Sequence, residues 1–438
     1  MKLNLFSRIP GVAGRLLCAG FFVVVAGCAS PRYERSDEPR TVVVWVSIDG
    51  VRPDYIPRSE TPNLDRLMEE GAYSMGLAPI FPSITFPNHV SQATGVTVDQ
   101  HGVPLNSFYD RERDRKYFYP GPSRLLEAEP IWTTVQRQGL RVAVFDWVLS
   151  HRQQGEHATS YFGDSYDGGL TDRQRVGQLL RTWRKDRGKE PLQLLMSYMV
   201  TPDKVGHEFG PDAPEVEAAM RQVDIDVGWF VKHLVKLFDQ RMQEGDSLVV
   251  MFTSDHGMSE VHTAVHPNLL AGVDREEEQA DQVVVMTTGN LAHYFLHKIE
   301  DEEARATRKA KLLAEVGRYS FARAYTQDML PERWGYAHPN RVGDVVVVLE
   351  TGYTFSRRAR EVSVAISETG GPLGMHGYDV EDNPEMNGIA IFWRYPEQLG
   401  GHDLGPTHSL QLHATVAKLL GVEPSEAARP DVIELPGW

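Results

Sequence analysis

Val42-Val43-Val44-Trp45-Val46-Ser47-Ile48, followed at once by Asp49-Gly50, is the stretch whose reading decides the fold. Seven residues, mostly β-branched and uncharged, make a strand buried on both faces, as in the middle of a mainly parallel sheet. The run stops at a carboxylate. Open α/β sheets bind their ligands outside the carboxyl ends of the strands, so Asp49 is expected at such an edge. Downstream, Pro82-Ser83-Ile84-Thr85-Phe86-Pro87-Asn88-His89 places a hydroxyl in a proline-punctuated turn before a helix-like segment. Helix N-termini favour anions, and a hydroxyl held there can face a phosphate.

Working outward, strands and helices alternate. Thr61-Pro62 predicts a helix start, Leu64, Leu67 and Met68 one apolar face, and Gly71 its end. A second helix is expected over Phe86–Ala93, strands over Arg141–Phe145, Leu192–Met199 and Ser247–Phe252, and helices over Thr171–Arg187 and Ala213–Phe238. This spacing predicts a doubly wound α/β fold, with a mainly parallel sheet and helices on both faces. From Gln282 to Leu349 the texture changes, and a small inserted α+β subdomain is expected over about 287–345. A last strand, Gly388–Trp393, and a helix, Leu410–Leu420, close a domain spanning 41–425, leaving 426–438 as a tail.

The amino terminus differs. Lys2, Arg8 and Arg15 precede an apolar run from Leu16 to Ala26, too short to span a membrane and suited to a signal peptide, 1–27. It ends in Val25-Ala26-Gly27-Cys28, which resembles the lipobox of bacterial lipoproteins and implies lipidation at Cys28. Residues 28–40 then form a polar tether. The resemblance implies a bacterial cell envelope protein anchored to the outer membrane, since Ala29 rather than Asp follows Cys28. The other cysteine, Cys18, would leave with the signal, so the processed chain has no internal disulfide pair. Processing also removes three cations and no acid, taking the formal charge from -15 to -18. That balance argues against binding a nucleic-acid polymer.

Four acidic or histidine clusters follow predicted strands: Asp49-Gly50; Asp203 with His207; Asp255-His256-Gly257; and His376-Gly377-Tyr378-Asp379. Strand ends of a parallel sheet converge on one edge, so ligands distant in sequence can meet. Imidazole with carboxylate suits zinc, and also manganese or iron, better than calcium.

Together with Thr85-Phe86-Pro87-Asn88-His89, these clusters resemble the nucleotide pyrophosphatase/phosphodiesterase family of the alkaline phosphatase superfamily. The resemblance runs from about Val42 to about Leu420 and implies an alkaline phosphatase-like fold. It further implies two zinc ions, one held by Asp203, His207 and His376, the other by Asp49, Asp255, His256 and the Thr85 oxygen. By the same likeness Thr85 is the nucleophile, passing through a phospho-threonine intermediate, and Asn106 contacts a phosphoryl oxygen. Phe86 and Tyr198 match positions that flank a nucleotide base.

The expected substrate is a small phosphodiester or pyrophosphate of nucleotide or lipid-headgroup type. The turn at Thr85 has no arginine, and neutral Asn106 cannot offset the second charge of a monoester, so diesters should be preferred. Arg52 and Lys204 would weaken that expectation if they pointed inward. A phosphomonoesterase or sulfatase of the same superfamily, or a silent metal-binding surface lipoprotein, are the competing readings. Asp146-Trp147-Val148-Leu149 departs from the family's glycine- and proline-rich segment and leaves the substrate open.

Overall fold

The computed structural model of the protein describes residues 33–280 and 282–437. The expected signal, Cys28 and its tether up to residue 32 lie outside them. A nine-stranded sheet organises the chain. Thr41–Ile48 runs through its middle, parallel to Leu192–Met199 on one side and to Ser247–Thr253 on the other. Arg141–Val144 extends the parallel part beyond Leu192–Met199, followed by the short strand Tyr161–Phe162.

Both faces of the central strand are buried, as its composition requires. Val42, Val44, Val46 and Ile48 pack under one helical layer, with side chains of Pro62–Glu70, Asp172–Lys185 and Pro214–Arg241. Val43 and Trp45 point the other way, into the layer of Ile131–Arg137, Thr85–Thr94 and Gln411–Leu420. Trp45 is fully buried, stands edge-on to Trp147 at 4.7 Å, and donates its indole N–H to Thr253 Oγ1 at 2.9 Å. A polar atom is thus carried into the core only with its partner.

The remaining flank of the sheet supplies the antiparallel part of a mainly parallel sheet. Gly388–Tyr395 runs antiparallel both to Ser247–Thr253 and to Ala72–Ala78, a strand the sequence reading left out. Ala72–Ala78 reads AYSMGLA, and its serine, glycine and alanines hide the pattern. Gly71 ends the preceding helix, though not by a left-handed turn: its φ is -112°, and a Cβ there would sit 2.2 Å from Phe392 O. Close backbone approach, rather than conformational freedom, requires glycine at that position.

Between the last parallel strand and Gly388 lies a separate four-stranded antiparallel sheet, ordered Val284–Thr288, Leu291–Phe295, Val345–Leu349, Ala322–Thr326. The helix Glu302–Val316 covers one of its faces through Leu312 and Val316. No described helix is long and apolar enough to cross a membrane.

Candidate active site

Three of the four expected clusters sit where parallel strands end. Asp49 follows Ile48 directly, Asp203 lies in the helix Thr201–Phe209 after Leu192–Met199, and Asp255 and His256 follow Thr253. The fourth arrives differently. His376 follows Gly374–Met375, a two-residue strand paired with Ser259–Glu260 outside the main sheet. Asp379 of the same cluster turns away and accepts from Trp334 Nε1 at 2.7 Å, with Arg333 at 2.6 Å.

Gly50 lets the first two clusters approach. Its φ is +67°, and a Cβ would fall 2.9 Å from that of Asp203. Beyond it the side chains form two adjoining groups. In one, His256 Nε2 lies 3.4 Å from Asp49 Oδ1, 3.1 Å from Asp255 Oδ2 and 3.2 Å from Thr85 Oγ1. In the other, Asp203 Oδ1 is 3.3 Å from His207 Nε2 and 3.5 Å from His376 Nε2, the two imidazole nitrogens being 3.3 Å apart. The rings of His256 and His376 stack at 3.6 Å and join the groups.

Each histidine is held by its other nitrogen. The Nδ1 atoms of His207, His256 and His376 donate to the carbonyls of Gly374, Gly257 and Ser83 at 2.7, 2.8 and 2.9 Å. A carbonyl only accepts, so Nδ1 carries the proton and Nε2 presents its lone pair to the cluster, the form that binds a metal.

The charges are unresolved among these residues alone. Burial and the neighbouring Asp203 and Asp255 push the Asp49 carboxyl well above its ordinary range. Burial works against the Asp255 charge too, yet His256 and His89 hold it well below the usual range. Burial, with His256 and His207 alongside, pushes His376 well down. Asp49 Oδ1, Asp203 Oδ1 and Asp255 Oδ2 have no hydrogen-bond donor. Buried acceptors facing one another without donors are costly, and a divalent cation satisfies them at once. The donor set fits zinc or a similar metal.

Thr85 opens the helix Thr85–Thr94, so its hydroxyl sits at the helix N-terminus facing both groups. Asn106 lies beside it: its Oδ1 accepts from Phe86 N at 2.9 Å, which leaves the amide NH2 free to donate into the cleft. Thr85, Asn106, Asp49, Asp203, His207 and His376 all line one cleft of about 900 Å³.

The two aromatic positions differ in their contacts. Phe86 lines the cleft and meets Tyr119 edge-on at 5.7 Å. Tyr198 is 7% exposed, its ring stands edge-on to His89, and its hydroxyl donates to Asp49. It lines the cleft as Phe86 does, while its hydroxyl supports the candidate ligand Asp49. Arg52 is buried against Asp54, Asp212 and Glu385, away from the cleft, whereas Lys204 lines it.

Three contributors were not foreseen. His89, fully buried, donates from Nδ1 to Thr85 O at 2.9 Å with Asp255 Oδ2 at 3.2 Å, and its place one turn after Thr85 was the available signal. Tyr119 and His151 line the cleft from loops where nothing in the sequence pattern marked them. Around His151 the loop carries three non-glycine residues at positive φ, Asp146, Leu149 and Arg152. It includes Asp146-Trp147-Val148-Leu149, the segment that left the substrate open in the sequence.

A hydroxyl beside paired carboxylate–imidazole groups, at the edge of an α/β sheet, defines a metal-dependent hydrolase of phosphate esters. Residues 43–379 match the family described as type I phosphodiesterase / nucleotide pyrophosphatase, and the chain belongs to that family. Mouse bis(5'-adenosyl)-triphosphatase is 28% identical over 395 residues, covering 89% of this chain and 79% of its own. Human ectonucleotide pyrophosphatase/phosphodiesterase family member 7 is 26% identical, covering 94% and 87%. Among solved structures, human ectonucleotide pyrophosphatase/phosphodiesterase 5 superposes with a TM-score of 0.73 at 22% identity, over 87% of this chain and 96% of that one. An inactive murine form of the same enzyme, in complex with AMP, also gives 0.73, at 24% identity over 90% and 97%. The protein is a hydrolase of phosphodiester or pyrophosphate bonds.

Proposed function

We propose that the protein hydrolyses small phosphodiesters or pyrophosphates, of nucleotide or lipid-headgroup type, by transferring the phosphoryl group to Thr85. The observation that carries this reading is the Thr85 hydroxyl, at a helix N-terminus and 3.2 Å from His256 Nε2, beside the unpartnered oxygens of Asp49 and Asp255. Asp203, His207 and His376 would hold one zinc ion, and Asp49, Asp255 and His256 a second next to Thr85. When bound, such ions act as Lewis acids on phosphoryl oxygens and lower the pKa of a nearby hydroxyl.

The chain's own residues then have defined tasks. As the bond from Thr85 Oγ1 to phosphorus forms, the Thr85 hydroxyl gives up its proton to solvent and the P–O bond to the leaving portion breaks, its electron pair departing with the leaving oxygen, which takes up a proton from water where its basicity requires one. Asn106 donates from its free amide to an equatorial oxygen as charge develops there. Water next breaks the Thr85 Oγ1–phosphorus bond and restores the hydroxyl. Metal-stripped and zinc-reloaded protein should be assayed on aryl diesters, a dinucleoside polyphosphate, a lipid-headgroup diester and an aryl monoester. Zinc-dependent turnover of at least one diester or pyrophosphate, with the aryl monoester the poorer aryl substrate by kcat/KM, is expected. A faster monoester would replace the assignment with a phosphatase that uses Lys204.

Lipidation at Cys28 and residence at the outer membrane of a bacterial envelope belong to the same proposal, on the strength of Val25-Ala26-Gly27-Cys28. Cys28→Ser should move the protein from membranes to the soluble fraction, and its retention in membranes would refute anchoring.

A further inference from the structure

Two clefts meet at the ligand cluster. The first, of about 900 Å³, contains Thr85. The second, of about 530 Å³, shares Asn106, Tyr119, His207 and His376 with it but not Thr85. One wall of the second is the hairpin of Ser107–Asp110 and Arg115–Phe118, which supplies Lys116 and Phe118. The facing wall is Val284–Thr288, the edge strand of the inserted sheet. The hairpin is tied to the site, because Tyr119 N donates to Asn106 O at 3.2 Å.

In-line displacement puts the leaving oxygen opposite the attacking one. His207 and His376 border both clefts, and the second, which lacks Thr85, is the one available to that opposite side. The two clefts also differ in charge. Five carboxylates line the first, Asp49, Asp146, Asp172, Asp203 and Asp226, against the cations Arg173 and Lys204. The second has one carboxylate, Glu278, against Lys116 and Arg357. Arg357 is committed to Glu278 at 2.7 Å and to Val285 O at 3.4 Å. Lys116 is exposed, and its ammonium has no partner among the described residues.

Resting on the functional reading above, we infer that the second cleft receives the leaving portion of the substrate, and that Lys116 makes it favour leaving portions that carry negative charge. A phosphate chain is then preferred over a neutral alcohol or phenol, and substrates linked by a phosphoanhydride over simple diesters. The inserted sheet acquires a task in this assignment, since its edge strand closes the leaving side. An exposed ammonium acts through a field that salt screens, so the preference should depend on ionic strength.

The probes are ATP, which leaves as pyrophosphate, and the 4-nitrophenyl ester of thymidine 5'-monophosphate, which leaves as a phenol. The readout is the ratio of kcat/KM for ATP over the aryl ester. Lys116→Ala should lower it about fivefold and Lys116→Glu about tenfold or more. Raising salt from about 0.05 M to about 0.5 M should bring the wild-type ratio toward that of Lys116→Ala. A Lys116→Glu ratio within twofold of wild type, with both probes turned over, overturns the assignment of this cleft alone. Wild-type protein inert on both probes, and also on the dinucleoside polyphosphate and the lipid-headgroup diester, with zinc supplied, overturns the functional reading beneath it.

Discussion

The two ligand groups are made of the same residue types but are enclosed differently. Asp49, Asp255 and His256 have side chains 4%, 0% and 0% exposed. Asp203 and His207 are 16% and 28% exposed, and only His376, at 4%, matches the first group. The inner group rests on the ends of two adjacent central strands, supported by Tyr198 and His89. The outer one is assembled from a helix and a two-residue strand. Enclosure sets how much a missing partner costs. A carboxylate in a dry interior cannot turn to water for relief, whereas a half-open imidazole can.

The largest effect that sharpens this contrast is expected at the inner group. Thr85→Ala should lower turnover of the best diester about a thousandfold or more, with the Tm of zinc-loaded protein almost unchanged, because only a hydroxyl at the cleft is lost. Steady-state kinetics and calorimetry on one preparation check both halves. Next comes a paired comparison in metal-free protein. Asp255→Ala strips His256 and His89 of their buried carboxylate and should cost about 3–5 kcal/mol. His207→Ala should leave metal-free stability nearly intact, yet reduce bound zinc from two to about one per chain. Equal losses of stability in the two variants would erase the distinction drawn here.

The smallest effect separates loss of fold from loss of metal. Burial pushes His101 and His293 down to about 3, and His408 and His413 to about 4, and none of the four is a candidate ligand. Unfolded histidine takes up its proton near 6.5, so between that value and about 4 the unfolded chain binds more protons than the folded one. Stability is therefore complete above about pH 6.5 and declines as the pH falls toward 4. Metal-free protein should lose several degrees of Tm over that window. A flat profile would assign acid sensitivity to the ligand groups instead.

The central sheet was open to reading because buried parallel strands are continuous apolar runs. Val42–Ile48, Leu192–Met199 and the strand from Ser247 each appear within a residue of their expected ends. The antiparallel flank was hidden for the opposite reason. Ala72–Ala78 carries small and polar residues, and the strand at Gly388 shows its apolar character without its direction. Candidate ligands could be picked out because carboxylate and imidazole at strand ends stand out against apolar runs. What they lean on could not. Tyr198 turns its hydroxyl to Asp49, and no linear pattern encodes which way a tyrosine faces. The carbonyls that fix each Nδ1 belong to Gly374, Gly257 and Ser83, and a backbone carbonyl has no letter in a sequence.

His376 joins the cluster from outside the main sheet, and this has a consequence for the order in which the molecule forms. Asp49, Thr85, Asp203 and His256 all belong to the part of the chain made before the inserted sheet begins at Val284. His376 comes after that sheet, and it is positioned by contacts that reach back across the chain, Gly374 to Glu260 and Leu373 N to His207 O at 2.8 Å. A chain growing from its amino terminus therefore carries three of the four candidate ligand clusters through the synthesis of the whole insert. The outer candidate metal group is complete only once the insert has been passed and its far end has docked, so a chain stalled or clipped within the insert lacks the His376 imidazole that the proposed function requires.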